Sequence, residues 1–202
     1  MNKRNYSKEL DALIEENRKN SVVPKLMLHV CCACCASYVL EYLSEHFEIY
    51  IAFVNPNITE KDEYEYRKSE LERLVHEMPL KNKVTIVPVD YTPQEFLFRV
   101  KGLEEEREGG ARCAVCFNER LKTTAYLADE YGCDFFATTL TISPLKNASI
   151  INSIGEALEK DVKSQYLPTD FKKKNGYKRS IELSHEYNLY RQNYCGCIFS
   201  KN

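Results

Sequence analysis

Eight of the nine cysteines in this 202-residue chain fall into three short groups, and thiolates gathered at such spacing point to metal binding or redox work. Cys31, Cys32, Cys34 and Cys35 form the first group, Cys113 and Cys116 the second, Cys195 and Cys197 the third. Only Cys133 stands alone, where a small buried hydrophobe is the ordinary role. A structural zinc takes four ligands, typically as two short pairs, so eight candidate sulfurs are too many for one staple. They fit an iron–sulfur cluster plus either a second metal or a working dithiol. A disulfide between Cys195 and Cys197 would span one glycine in a small strained ring and be readily reduced, which suits a redox couple. The other use of both thiols is as further metal ligands.

Other chemistry is thinly supplied. His29 reads as a core histidine bonded to a carbonyl, or as a ligand, while His46, His76 and His185 fall in polar helical surroundings typical of a surface. Asp90, at an expected strand end, is the one well-placed acid. Neither GxGxxG nor GxxxxGKS occurs, so a phosphate-cradling loop is not supported. The net charge of −2 gives no global field for nucleic acid, yet residues 160–202 carry nine Lys or Arg against four Asp or Glu. Lys172, Lys173, Lys174, Lys178 and Arg179 lie in one stretch, with Arg191 beyond, so a polyanion is expected to meet the C-terminal third. Glu104, Glu105, Glu106 and Glu108 make an acidic patch that is expected elsewhere. Tyr177, Tyr187, Tyr190 and Tyr194 interleave with the cations; they stack on a single-stranded RNA loop or they dock the tail.

The elements that must position these groups follow from periodicity. Apolar runs at Leu26–Val30, Glu48–Val54, Val84–Val89 and Phe135–Leu140 read as buried strands, and the first ends directly in a cysteine group. Helical spacing appears from Ser7 (as cap) through Ile14, over Ala36–Leu43, from a Thr59 cap to Met78, after the Thr92–Glu95 capping box, over Ala114–Tyr131, through Ile150–Leu158, and near Ser180–Tyr187. Alternating strands and helices predict an α/β fold: a Rossmann-like parallel sheet with helices on both faces. One domain is expected, with an accessory helix in 1–24, a core with the cysteine site in 25–163, and an extension in 164–202 carrying the CxC pair and the basic stretch. A charged N-terminus without the apolar stretch of a secretory signal, and no apolar run approaching a membrane span, predict a cytoplasmic protein and no membrane partner.

LMLHVCCACCAS, NPNI with Tyr64 and Arg67 beyond, RCAVCFNERL, TTLTISPLKN and YRQNYCGCIFS occur in this order from Leu26 to Ser200. Together they resemble the QueH type of epoxyqueuosine reductase. The resemblance implies reduction of the epoxide of epoxyqueuosine at the tRNA wobble position without cobalamin, a 4Fe-4S cluster, a low-potential electron donor, and tRNA as partner. It implies Cys31, Cys32, Cys113 and Cys116 as cluster ligands and Cys195 with Cys197 as a redox-active pair, or some of these thiols on a second mononuclear iron. Cys35 matches a slot that is Cys or Asp in relatives and either serves that iron. Cys34 stands where proline is common, as a bystander or substitute ligand. Asp90, or a water, is the expected proton source, and Lys172, Lys173, Lys174, Lys178, Arg179 and Arg191 are the expected RNA contacts. Two other readings use the same residues. One is a zinc-stapled RNA-binding module without catalysis. The other is a tRNA-thiolation-type α/β enzyme, which expects an SGGxDS-like loop where this chain has HVCCACCAS.

Overall fold

Four apolar runs become strands β1 (Lys25–His29), β2 (Glu48–Ala52), β3 (Val84–Val87) and β4 (Phe135–Thr138) in a computed structural model that describes residues 4–201. A fifth, β5 (Gln165–Tyr166), is too short to carry a periodic signal; pairing to Phe135 and Phe136 of β4 defines it. All pairings are parallel and the order is β3-β2-β1-β4-β5. Pro88 follows directly on β3, an edge strand, where its missing N–H costs no ladder bond.

Alternation along the strands buries both faces. Leu26, Leu28, Ile49, Ile51 and Ala137 point to one side; Met27, Ala52 and Phe136 point to the other. The first side is covered by α1 (Tyr6–Lys19), α2 (Ala33–Leu43) and α3 (Lys61–Glu77), which supply Leu10, Leu40 and Leu71. The short α4 (Pro93–Arg99) leads through the acidic loop to α5 (Ala111–Glu130), and with α6 (Ala148–Leu158) α5 covers the second side through Leu121, Ala125 and Ile151. Helix α7 (Gly176–Glu186) packs on α2. Among the described residues no helix is long and apolar enough to cross a membrane.

Caps depart from expectation more than elements do. Helix α1 is capped by Asn5, whose Oδ1 accepts from Lys8 N, rather than by Ser7. No side-chain bond caps α3 or α4, so neither Thr59 nor the Thr92 hydroxyl plays its expected part; the Thr92 carbonyl accepts from Glu95 N instead. Helix α2 begins at Ala33, three residues before the expected Ala36, because the Cys32 sulfur caps it.

Candidate metal centre

The chain order reverses beside β1, so the loops leaving β1 and β4 diverge to opposite sides and open a crevice at their carboxyl ends. The first cysteine group fills that point. Cys31, Cys32 and Cys35 have their sulfurs within 4.8 Å of one another, with Cys31 and Cys32 at 3.9 Å. The Cys32 sulfur accepts from Cys35 N at the start of α2, where unpaired amides favour negative charge. Thr139, just past β4, approaches Cys31 Sγ with its hydroxyl at 3.5 Å. Hydrogen bonds from Cys32 and Cys35, then Arg120 and Thr139, hold the Cys31 thiol well below its ordinary range, while Cys35 is pushed well above it. One thiolate shared among three sulfurs is the arrangement a soft cation takes up.

The second group starts α5. Cys113 Sγ accepts from Gly109 N at 3.2 Å, and Cys116 lies one turn further in, where burial pushes its thiol up to about 12. The chain's end brings the third group to the same place: Cys113, Cys116, Cys195 and Cys197 line one cavity of about 80 Å³. Cys31, Cys35 and Cys195 line an adjoining one of about 250 Å³. Cys195 belongs to both. All nine cysteines are free thiols. Gly196 takes φ of 100°, and a Cβ there would fall 2.7 Å from Ile58 Cγ1 and 3.2 Å from Arg67 Nη1, so only glycine lets Cys195 and Cys197 turn this way.

Three cations face these sulfurs. Arg120, one turn beyond Cys116 on α5 and 1% exposed, donates from Nη2 to Asn55 Oδ1 (2.6 Å) and from Nε to His29 Nε2 (3.1 Å), with Nη1 at 3.9 Å from Cys116 Sγ. No carboxylate lies within ion-pair distance of it among the described residues, and a buried charge left without a counter-charge costs several kcal/mol. The Cys116 sulfur is what it meets, and a thiolate there would supply the missing counter-charge. His29 is the core histidine: burial and then Arg120 lower it to about 3, so it stays neutral, and with Nε2 accepting, Nδ1 donates to Thr138 Oγ1 (2.7 Å). Arg67 of α3, 2% exposed, pairs with Glu63 and donates to the carbonyls of Cys195 (3.3 Å) and Tyr194 (3.4 Å). Lys146 lines both cavities.

Residues 26–202 match the family model for epoxyqueuosine reductase QueH. The chain belongs to the QueH family. It is 47% identical over 198 residues to the epoxyqueuosine reductase QueH of Streptococcus pyogenes serotype M1, covering 97% of this chain and 78% of that one. It is 43% identical over 200 residues to that of Staphylococcus epidermidis (97% and 84%) and 33% over 181 residues to that of Thermotoga maritima (87% and 89%). Among solved structures, the U34-tRNA thiolase NcsA from Methanococcus maripaludis, with its 4Fe-4S cluster, aligns with a TM-score of 0.52 over 98% of this chain and 69% of that one. At 16% identity that likeness is one of fold.

In this QueH member the other expected site residues scatter. Asp90 lines a separate groove with Val54, Thr92, Glu95 and Glu119, which no cysteine lines. Lys172 and Lys173 line an open groove with Arg4 and Lys146 beside the centre, and Arg191 lines another with Cys32, Cys34 and Cys35. Lys174 pairs with Asp11, and Arg179 with Glu41 and Glu182, so much of their charge is spent inside the protein; Lys178 is exposed on α7. Tyr190 bonds Glu63 and packs on Tyr66, and Tyr194 lies under Arg67: these two dock the tail. Cys34 donates its thiol proton to the Tyr190 carbonyl and Cys133 is buried among apolar side chains. The acidic run does not lie apart from the site. Arg112 donates to the carbonyls of Leu103 and Glu104, and Glu108 lines both cysteine cavities.

The QueH motifs contain three cations lining the larger cysteine cavity that periodicity alone missed. Arg67 and Arg120 occupy inward positions of α3 and α5, and a charge in a core register was the available signal. Lys146, in an aperiodic turn, had no signal beyond its motif.

Proposed function

We propose that this chain reduces the epoxide of epoxyqueuosine in tRNA to the alkene of queuosine, on an iron–sulfur centre held by its cysteines. The observation that carries the reading is the convergence of six thiols from β1–α2, α5 and the last residues of the chain on two adjoining cavities, with the Cys32 sulfur beside those of Cys31 and Cys35, in a member of the QueH family. The donor set fits the group: the sulfurs are soft, two of their three segments start helices, and the buried Arg120 has no other counter-charge among the described residues.

Epoxide plus two electrons and two protons gives alkene plus water. A 4Fe-4S cluster, when bound, supplies electrons one at a time, so a second equivalent must be stored beside it. Cys31, Cys32, Cys113 and Cys116 are the proposed cluster ligands. Cys35, Cys195 and Cys197 remain for the second equivalent, the last two as a redox-active thiol pair or all three toward a second mononuclear iron. Arg67 holds the Cys195 carbonyl and so fixes where that sulfur points. Arg120 keeps the cavity positive, which favours anionic sulfur over thiol. A cavity of about 250 Å³ takes a modified side chain and not a folded nucleic acid, so the wobble nucleotide enters extruded from its loop. Asp90 faces another groove, so water or a cavity-lining group delivers the protons. Lys173, Lys178 and Arg191 are the proposed phosphate contacts, Lys172 being paired with Asp170; the electron donor is a low-potential one-electron carrier, and the compartment is the cytoplasm, where tRNA is modified.

One observation favours the zinc reading. The 3.9 Å between Cys31 and Cys32 sulfurs matches the edge of a single-metal tetrahedron, about 3.8 Å for metal–sulfur bonds of about 2.3 Å. Counting iron, acid-labile sulfide and zinc on anaerobically purified protein decides between them. About four sulfides with four or five irons supports the reductase. One zinc without sulfide, reproduced after attempted cluster reconstitution, overturns it.

A further inference from the structure

Among the described residues, only Leu145 and Lys146 line both cysteine cavities and also the open groove beside them. The turn that carries Lys146 is fixed at both ends: Lys146 N donates to the Ser143 carbonyl at 3.2 Å, and Asn147 caps α6 through Oδ1. The ammonium is thus delivered by rigid backbone to the boundary between the sulfur centre and the route from solvent. It has no carboxylate within 4.0 Å and no hydrogen-bond acceptor among the described residues, and it shares its cavity with Cys31, Cys35 and Cys195. A largely buried ammonium without a partner is costly, and the chain retains one where an acceptor arrives from outside.

Three acceptors are conceivable, and the surroundings separate them. The deeper Arg120 already faces the Cys116 sulfur and is the counter-ion for any charge on it. Phosphate charge would be met by Lys173 at the outer groove, where Lys172 is already paired with Asp170. Between them is the place where the group being reduced must stand, within reach of the sulfurs and still joined to a nucleotide outside. We propose that Lys146 is a catalytic residue for the reduction: its ammonium hydrogen-bonds the epoxide oxygen and stabilises the negative charge that grows there. This rests on the proposed reductase activity. Electrons from a low-potential one-electron carrier enter the carbon framework and break one C–O bond, leaving the oxygen as an alkoxide held by Lys146. The second C–O bond then breaks as the C=C bond forms, and the oxygen leaves as water with two protons from solvent. Two electrons are consumed and two equivalents of the carrier are oxidised. Because the oxygen is more negative in the transition state than in the epoxide, the ammonium binds it more tightly there, and a low-dielectric cavity magnifies the difference.

The test uses anaerobically reconstituted Lys146→Gln and Lys146→Arg holoenzymes with tRNA carrying epoxyqueuosine and tRNA carrying queuosine, which lacks the oxygen. Lys146→Gln is expected to keep wild-type iron, sulfide, cluster midpoint potential and affinity for queuosine tRNA, and to lose about 100- to 1,000-fold in single-turnover rate. It is also expected to lose any preference for the epoxide-bearing tRNA over the product, and Lys146→Arg to recover part of the rate. An unchanged rate overturns the proposal. So does a rate loss accompanied by an equal loss of affinity for both tRNAs, which makes Lys146 a phosphate contact, or by a shifted potential, which makes it a counter-ion to the centre. Wild-type protein with full iron and sulfide that reduces nothing sinks the reductase reading itself, a separate failure.

Discussion

What a cysteine does in this chain depends on what its sulfur can reach. Cys133 reaches no other sulfur and packs among apolar side chains, and burial pushes its thiol up to about 12, so it stays protonated at any working pH. Cys31 reaches two other sulfurs and the Thr139 hydroxyl. Cys133→Ala is therefore expected to keep full iron and activity at a stability cost of about 1 kcal/mol, checked by iron analysis and chemical denaturation. Cys31→Ala is expected to lose iron and turnover together; full iron with full turnover would remove Cys31 from the ligand set. Gly196→Ala tests the third group without touching a sulfur. Its positive φ and the closeness of Ile58 and Arg67 predict a displaced tail, seen as reduced iron per chain in a protein whose core circular dichroism is unchanged. The three groups were legible in sequence because thiols are chemically conspicuous. Their sorting was not: that Cys35 and not Cys34 joins Cys31 and Cys32 depends on where α2 starts, and that the last residues meet α5 depends on tertiary packing, which no local spacing encodes.

At the scale of elements, β1 to β4 and the helices were legible because burial imposes periods of two and of 3.6 on the sequence. Strand β5 was not, since two residues hold no period and only its pairing to β4 defines it. Caps are hard to read where several polar residues compete: Asn5 outcompetes Ser7, and the Cys32 sulfur extends α2 backward to Ala33. Helix α3 shows how an element serves the centre from a distance. Its Arg67 ties the carbonyls of Tyr194 and Cys195, and Arg73 those of Tyr187 and Asn188, so one helix staples the tail at two points. Arg67→Ala is expected to cost about 2–3 kcal/mol, below the figure for a fully buried pair because Glu63 is partly exposed. Amide exchange over 194–200 should quicken by about tenfold or more while β1 and β2 stay protected; unchanged exchange in the tail would mean that other contacts hold it.

For the whole molecule, charge arithmetic counts more free cations in the C-terminal stretch than the fold leaves free. The C-terminal third is basic, yet Lys174 and Arg179 are engaged by Asp11 and Glu41, and the acidic loop is brought to the cysteine cavities by Arg112. A linear sequence shows how many charges a segment carries and not which of them fold onto opposite charges. The affinity for tRNA is accordingly expected to fall more in a Lys173→Gln, Lys178→Gln, Arg191→Gln triple variant than in a Lys174→Gln, Arg179→Gln double variant. The slope of log affinity against log salt should flatten by roughly 0.7 to 0.9 for each phosphate that is no longer neutralised. Equal reductions in the two variants would place the RNA face elsewhere. The central claim is the reaction itself. Anaerobic protein with its iron and sulfide counted is incubated with epoxyqueuosine-bearing tRNA and a low-potential reductant, and the tRNA is digested to nucleosides for mass spectrometry. Conversion to a nucleoside lighter by one oxygen atom, dependent on both protein and reductant, is the predicted result. An epoxide left intact by fully loaded protein would contradict the account.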